Sequence, residues 1–320
     1  MIKLNTPIPV IEQYPKIEYD SKIVQLGSCF AENIAKKLQY FKFQHVSNPF
    51  GILFHPKAIE TLLWMTVNQE KYTKDDLFKF NDLWHSFDAH SSLSHREADT
   101  VLKSLNQGTA DLLISLQSAS HICITLGTAW VYRLKSIDLT VANCHKVPAT
   151  EFSKEILTVN EINTSLRNCI DLIRQVNPQS SVVFTLSPVR HKKDGFVENN
   201  RSKAHLLSAI HRIVQNDDSL HYFPSYEIVM DELRDYRFYK SDMLHPSDTA
   251  IQIIWERFVQ TWFSENTQKE LIEIDQIQKS LYHKPLHPES KQNTVFKEQL
   301  QRKIAGVQKK FPFMQFETLK

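Results

Sequence analysis

Three short apolar runs most constrain what this 320-residue chain can fold into. Residues 23–26, 122–126 and 181–186 each have the length and composition of a strand, and the second and third are apolar enough to be buried on both faces. Segments with a helical period lie between them. Strands that alternate with helices in this way are typical of an α/β fold with a parallel sheet.

Each run ends in small or polar residues. Gly27 and Ser28 follow the first run, Gly127 and Thr128 follow the second, and residues 187–191 follow the third. In an open parallel sheet, ligand sites lie beyond the carboxyl ends of the strands. We therefore expect these three loops to converge on one site.

The stretch at residues 26–31, LGSCFA, places a serine in a tight turn between a strand and a helix. Several hydrolase folds present a nucleophile in this way, which makes Ser28 a candidate nucleophile. Capping of the following helix is the alternative role for Ser28. Cys29 lies at the same helix N-terminus, where a thiol pKa tends to fall, and is a second candidate nucleophile. We favour a packing role for Cys29.

A base and a carboxylate occur together in the segment SDMLHP. Asp242 lies three residues before His245, so the carboxylate can hold one ring nitrogen while the other faces a serine. Pro246 restricts the backbone of His245. The serine lies early in the chain and the histidine lies late, within an α/β pattern. This order favours a catalytic role for His245 over that of an ordinary loop histidine.

Composition excludes several other functions. Lys and Arg number 38 and Asp and Glu 36, a net charge of +2 without long blocks of one sign, which predicts neither nucleic acid nor membrane as a partner. The N-terminus lacks the basic start and apolar core of a secretory signal, so we expect a cytoplasmic protein. The four cysteines have no metal-ligand spacing, and His85, His90 and His95 are five residues apart, so we expect no metal.

Along the chain we expect one α/β domain over residues 1–265 and a helical extension over 266–320. A strand is predicted at 41–46, a hairpin or long loop near a site mouth within 72–94, and a hairpin insertion at 134–148. The extension carries no strand signal. Whether it packs on its own domain or on a neighbouring molecule stays open, as does the oligomeric state.

Taken together, these segments resemble the GSCFA family, which is named for the pentapeptide at residues 27–31 and is similar to the SGNH (GDSL-type) esterases and acetylhydrolases. The resemblance runs from about residue 3 to 265. It rests on the segments LGSCFAENIAKKL, SNPFGILFHP, TLGTAWVY, VANCHK, TLSPVRHKKDG and YFPSYEIVMDELRDYRFYKSDMLHP. It implies a three-layer α/β/α, flavodoxin-like fold of the SGNH-hydrolase type.

The resemblance also implies roles for individual residues. Ser28 corresponds to the nucleophile, and Asp242 and His245 correspond to its acid and base. Gly51 occupies the position of a glycine whose backbone N–H joins that of Ser28 in the oxyanion hole. Gly127 matches a glycine of the third block and lines the substrate site. A simple requirement for a turn is the alternative explanation for both glycines.

One departure from the pattern concerns the third oxyanion donor. In the family pattern an asparagine supplies this donor, but Ala129 occupies that position in this sequence. One such donor is typically worth about 3 to 4 kcal/mol of transition-state stabilisation. The residues that we consider as replacements or substrate-binding groups are Asn143, His145, Arg190 and His191. Arg190 could instead bind an anionic group of the substrate.

The resemblance implies a serine esterase that acts through an acyl-enzyme on a small acyl ester, such as an O-acetylated carbohydrate, without a cofactor. Two alternatives stay open. One is a catalytically weak or inactive protein that binds an acylated or glycan ligand, which Ala129 favours. The other is an O-acyltransferase, which shares the first half-reaction and differs in the acceptor.

Overall fold

The computed structural model describes residues 6–316. The strands and helices, in chain order, are β1 (Lys22–Gly27), α1 (Cys29–Tyr40), β2 (Gln44–Ser47), α2 (Pro56–Val67), β3 (Phe78–Phe80), β4 (Leu83–His85), α3 (Ala98–Ser118), β5 (His121–Leu126), β6 (Trp130–Leu134), β7 (Leu139–Val141), β8 (Phe152–Ile156), α4 (Val159–Val176), β9 (Ser181–Leu186), α5 (Phe196–Val214), β10 (Leu220–Phe223), α6 (Ser225–Glu227), α7 (Asp248–Trp262), α8 (Glu265–Tyr282) and α9 (Lys291–Lys310).

Five parallel strands form the central sheet, in the order β10, β9, β5, β1, β2. Numbered by their succession along the chain, these strands lie in the order 2-1-3-4-5, which is the flavodoxin-like topology. The predicted α/β/α fold is therefore confirmed. The strand order reverses between β1 and β5, and in such sheets this switch point is where ligands bind.

Helices cover both faces of the sheet because successive strand side chains point to opposite sides. Val24 and Leu26 of β1 belong to the apolar core beneath α2, α3, α4 and α5. Ile23 belongs to a second core, which α1, α7, α8 and α9 cover. Burial on both faces explains why β5 and β9 are buried along their whole length.

The C-terminal helices pack on this same chain. Ile274 and Ile277 of α8 are buried in the second core. The Tyr40 hydroxyl at the end of α1 donates to Asp275 Oδ1 at 3.0 Å, and Gln278 Nε2 donates to the Tyr40 carbonyl at 2.5 Å. The extension thus completes one layer of the fold. The domain boundary at residue 265 stays a prediction.

Two antiparallel additions lie outside the central sheet. β3 and β4 form a hairpin within residues 72–94, one of the two alternatives expected there, and β6 pairs with β7 and β8 in a three-stranded sheet. The strand predicted at 41–46 begins only at Gln44, because α1 continues to Tyr40 and Lys42 takes a φ of +64° in the turn. Over residues 6–316, no helix combines the length and the hydropathy needed to cross a bilayer.

Candidate active site

The turn between β1 and α1 can be built only with glycine at position 27. Gly27 has a φ of +130°, and a Cβ atom there would lie 2.1 Å from the Thr125 carbonyl oxygen. The Gly27 N–H donates to Asn48 Oδ1 at 2.8 Å, so the end of β2 also holds the turn. Asn48 is a site contact that the sequence pattern did not indicate.

Ser28 is the N-cap of α1, and it is buried with only 1% of its surface exposed. Its Oγ accepts the Phe30 N–H at 3.3 Å. Its backbone N–H donates to the Thr125 carbonyl at 3.0 Å. The hydroxyl therefore lies at the positive end of a twelve-residue helix, a place that favours negative charge.

The ends of β1, β5 and β9 meet as predicted. A Cβ on Gly127 would lie 3.2 Å from Ser28 Cβ and 3.2 Å from Phe54 Cδ1, so Gly127 packs directly on the serine. The Gly127 N–H donates to the Phe54 carbonyl at 2.8 Å. The Ser187 N–H donates to the Leu126 carbonyl at 2.9 Å. The convergence of these loops, inferred from the sequence, is thereby confirmed.

Asp242 and His245 form a hydrogen-bonded pair. Asp242 Oδ2 lies 2.6 Å from His245 Nδ1, and Oδ1 accepts the Leu244 and His245 N–H groups at 2.8 and 3.0 Å. These hydrogen bonds lower the Asp242 pKa to about 2, those from the two backbone N–H groups contributing most. Both side chains are a little over 40% exposed, so a substrate can reach them.

Arg190 is bound to the Asp242–His245 loop. Its N–H donates to the Leu244 carbonyl and its guanidinium to the Met243 carbonyl, both at 3.2 Å. The guanidinium also lies 4.2 Å from the centre of the Phe196 ring. Since Met243 has a φ of +59°, this anchoring holds a tight turn in place.

His191 packs against Phe54, the residue that also contacts Gly127. Its ring meets the Phe54 ring edge to face at 5.8 Å, and its N–H donates to Asn199 Oδ1 at 2.9 Å. Burial, and next the positive charge of Lys203, lower the His191 pKa to about 4. The imidazole is therefore neutral at physiological pH.

Lys203 is a functional candidate that the sequence reasoning missed. This α5 side chain is 2% exposed, and its Nζ donates to the Gly127 and Ser187 carbonyls, both at 2.7 Å. Burial lowers the Lys203 pKa to about 7. The sequence did hold a signal, because Lys203 shares the apolar face of α5 with Leu206 and Ile210, where a charged residue is unusual.

No hydrogen bond joins Ser28 Oγ to His245 among those of residues 6–316. Phe54 packs on Gly127 beside Ser28, and its ring meets that of His191. The three proposed catalytic residues therefore lie at one edge of the sheet without forming a closed triad. Their catalytic roles stay predictions.

The predicted oxyanion donors already have partners. The Ser28 N–H is bonded to Thr125, and the Gly51 N–H donates to the Asn48 carbonyl at 2.8 Å. Gly51 has a φ of +70° and packs on His90, as a turn glycine would. The Ala129 N–H, at the position that lacks the asparagine, donates to Ser202 Oγ at 2.7 Å, and Ala129 is fully buried.

Asn143 and His145 lie in the loop that follows β7, beside the β3–β4 hairpin. Asn143 Oδ1 accepts the His145 N–H at 2.8 Å, and His145 Nε2 lies 2.7 Å from the Ser86 carbonyl. The His145 ring lies 4.6 Å from that of His85, and burial lowers the His145 pKa to about 4. Their contacts indicate a structural role, and their substrate-binding role stays a prediction.

The remaining candidates have ordinary environments. Burial, aided by Glu32, raises the Cys29 pKa, which disfavours a reactive thiolate. The His85 ring nitrogens lie 2.7 Å from Ser94 Oγ and 3.0 Å from the Phe80 carbonyl. In the part of the chain that the structure describes, no three His, Cys, Asp or Glu side chains are arranged to hold a metal ion.

Two solved structures illustrate what the chain is similar to. The Clostridium thermocellum family 3 carbohydrate esterase is 11% identical, with a TM-score of 0.33 over 75% of this chain and 94% of that chain. A carbohydrate esterase family 3 from Talaromyces cellulolyticus is 8% identical, with a TM-score of 0.35 over 80% and 99%. Likenesses this distant carry no argument about function. No curated protein sequence matches the chain.

Two family models match the sequence itself. The model described as "GSCFA family" matches residues 22–258, and the model described as "GSCFA domain protein, C-terminal domain" matches residues 274–320. The first match includes the β1–α1 turn, the ends of β5 and β9, and the Asp242–His245 loop. Because this match alone spans well over half of the 320 residues, the chain belongs to the GSCFA family.

Proposed function

We propose that this protein is a serine acyl hydrolase of the SGNH type, with Ser28 as nucleophile, His245 as base and Asp242 as its orienting acid. The observation that carries the proposal is the Asp242–His245 pair at 2.6 Å, on a loop that Arg190 ties to the end of β9. A strand–turn–helix serine at the end of β1, in the same sheet, supports it.

The pair is oriented for proton transfer. With the Asp242 carboxylate ionised, His245 Nδ1 carries the hydrogen that Asp242 Oδ2 accepts, and His245 Nε2 is left as the acceptor. In the proposed reaction Ser28 Oγ bonds to the acyl carbon, and its proton passes to Nε2 and then to the leaving alcohol as the carbon–oxygen bond breaks. Water repeats these steps and releases the acid.

Binding of substrate must rearrange the contacts around Ser28. The Ser28 and Gly51 N–H groups are bonded at 3.0 and 2.8 Å to carbonyls of the protein, so holding an oxyanion requires each to share or exchange its acceptor. The buried Ser28 must also become accessible. We propose that both changes accompany binding, with Phe54 as the side chain that moves, because it contacts both Gly127 and His191.

The proposed substrate is a small acyl ester, with acetylated sugars as the first class to test. Beside the Asp242–His245 loop, Phe196 and Tyr236 flank Arg190, at 4.2 and 6.0 Å from its guanidinium. The two residues are 44% and 64% exposed. Exposed aromatic rings at a site mouth supply apolar faces with little conformational entropy to lose, and a sugar ring fits such a face.

The test is covalent labelling of Ser28. Purified protein is treated with a fluorophosphonate probe and with p-nitrophenyl acetate, and the labelled peptide is identified by mass spectrometry. We expect labelling at Ser28, its loss in Ser28→Ala and a strong reduction in His245→Ala. Cys29→Ala is the matched control and should label normally. Labelling that survives Ser28→Ala and disappears in Cys29→Ala would assign the chemistry to the thiol instead.

A second candidate function is ligand binding without turnover. The burial of Ser28 and the internal bonds of both predicted oxyanion donors favour it. In that case the wild-type protein would show neither labelling nor release of p-nitrophenol. An acetylated sugar would nevertheless raise its thermal unfolding midpoint, as binding to the folded state requires.

A further inference from the structure

Lys203 has a position that the proposed reaction does not yet explain. It projects from α5 into the core beneath the site and is almost completely buried. Burying an ammonium group is costly unless hydrogen bonds compensate, so a lysine in such a place usually has a specific use. Both of its hydrogen-bond acceptors in the described chain are carbonyl oxygens, and neither is a carboxylate.

The two carbonyls belong to the strand ends that surround the serine. Gly127 follows β5 and packs on Ser28, and Ser187 follows β9 and leads to Arg190. At 2.7 Å each, the two bonds from one nitrogen fix the separation of these strand ends. Loss of the amine would leave two buried carbonyls without this donor.

The positive charge of Lys203 also acts on the groups around the site. It lowers the Cys29 pKa, opposing the effect of burial, and Cys29 is the neighbour of Ser28 in the chain. It lowers the His191 pKa as well. The field of Lys203 therefore reaches the turn that holds the proposed nucleophile.

We propose that Lys203 is a positioning residue for acyl transfer at Ser28, an inference that rests on the proposed function. Its amine holds Gly127 and Ser187 in the arrangement that supports the serine. Its positive charge stabilises the negative charge that develops near Ser28 in the transition state.

A pH dependence follows, because burial lowers the Lys203 pKa to about 7. The titratable groups facing Lys203 are Cys29 from α1 and His191 from the β9–α5 loop. Glu32 acts on Cys29, while Asp194 and His245 act on His191. As Lys203 loses its proton above about pH 7, the stabilising charge disappears and the rate of Ser28 labelling should decline.

The experiment measures the rate of Ser28 labelling by the fluorophosphonate probe between about pH 6 and pH 9 in the full chain. The variants are Lys203→Met, Lys203→Arg and, as a control on the exposed side of the same helix, Arg201→Met. Circular dichroism confirms folding. We expect Lys203→Met to lose about tenfold or more at pH 6 and to lack the decline above pH 7.

Lys203→Arg keeps its charge throughout, so it should also lack the decline but retain more of the rate than Lys203→Met. Arg201→Met should keep the wild-type profile. An unchanged rate and an unchanged alkaline decline in a folded Lys203→Met or Lys203→Arg variant would overturn the inference.

A second measurement does not depend on catalysis. Alkylation of Cys29 by iodoacetamide, followed by peptide mass spectrometry, reports the charge felt at residue 29. We expect the rate of Cys29 alkylation at about pH 6, where Lys203 carries its charge, to fall in Lys203→Met and to stay unchanged in Arg201→Met. If the wild type is not labelled at Ser28 but Cys29 alkylation is slower in Lys203→Met, the proposed function fails while the field of Lys203 is confirmed. An unchanged Cys29 alkylation rate in Lys203→Met refutes the inference about Lys203.

Discussion

Replacing Gly27 by alanine should destabilise the protein strongly, because the turn has no room for a Cβ atom. That atom would lie 2.1 Å from the Thr125 carbonyl oxygen and 2.8 Å from its carbon, both in the backbone of β5. The φ of +130° adds a conformational cost of about 1 to 2 kcal/mol for an L-residue. Moving the turn to relieve the clash also breaks the Ser28 N–H bond to Thr125, worth about 1 kcal/mol.

Because the packing of β1 on β5 would also be displaced, we expect Gly27→Ala to lower the free energy of unfolding by about 3 to 5 kcal/mol in total. Urea denaturation followed by circular dichroism measures the change. Gly195→Ala is the matched control, because Gly195 also has a positive φ of +83° but nothing within 4 Å of its Cβ position. It should lose only about 1 to 2 kcal/mol. Equal losses in the two variants would refute the role assigned to the Thr125 contact.

Four further predictions concern the loop that carries the base and one distant helix. Asp242→Asn removes the acceptor of the His245 Nδ1 hydrogen, so Ser28 labelling should slow by roughly 10² to 10⁴ in a variant that circular dichroism shows to be folded; a wild-type rate would contradict the triad. Because the Asp242 pKa is lowered to about 2, its contribution to stability should be complete above about pH 4 and lost only as the pH falls toward 2, which carboxyl NMR titration can follow. Arg190→Ala should speed amide exchange at Leu244 and slow labelling. Gly306→Ala, in the C-terminal half of α9 with nothing within 4 Å of its Cβ position, should raise the unfolding free energy by about 1 kcal/mol.

The sequence was sufficient to predict the main sheet because its strands carry a strong local signal. The β5 and β9 runs are buried on both faces, and such runs are recognisable without knowledge of their neighbours. The meeting of the strand ends follows from parallel pairing alone. The boundary of β2 could not be placed, since the turn at Lys42 depends on how α1 ends.

The sequence could not predict the contacts in which a side chain binds a backbone carbonyl of a distant segment. Lys203 and Gly127 are separated by 76 residues, and the acceptor is a carbonyl that every residue possesses. The same is true of Arg190 and Met243, 53 residues apart. The sequence makes Arg190 a candidate substrate ligand because a guanidinium can bind an anionic group through two parallel hydrogen bonds. Its observed partners are instead the carbonyls of the loop that carries the proposed base.

The capping and nucleophilic roles of Ser28 are compatible. As the N-cap of α1, Oγ uses a lone pair to accept the Phe30 N–H at 3.3 Å, which leaves its own proton available for a base. The same N–H groups at the helix start would stabilise the oxygen once that proton has gone. Capping therefore lowers the cost of ionising Ser28 rather than competing with it. What distinguishes a mere cap from a nucleophile is access of His245 Nε2 to that proton, which the labelling of Ser28 in wild type and His245→Ala tests.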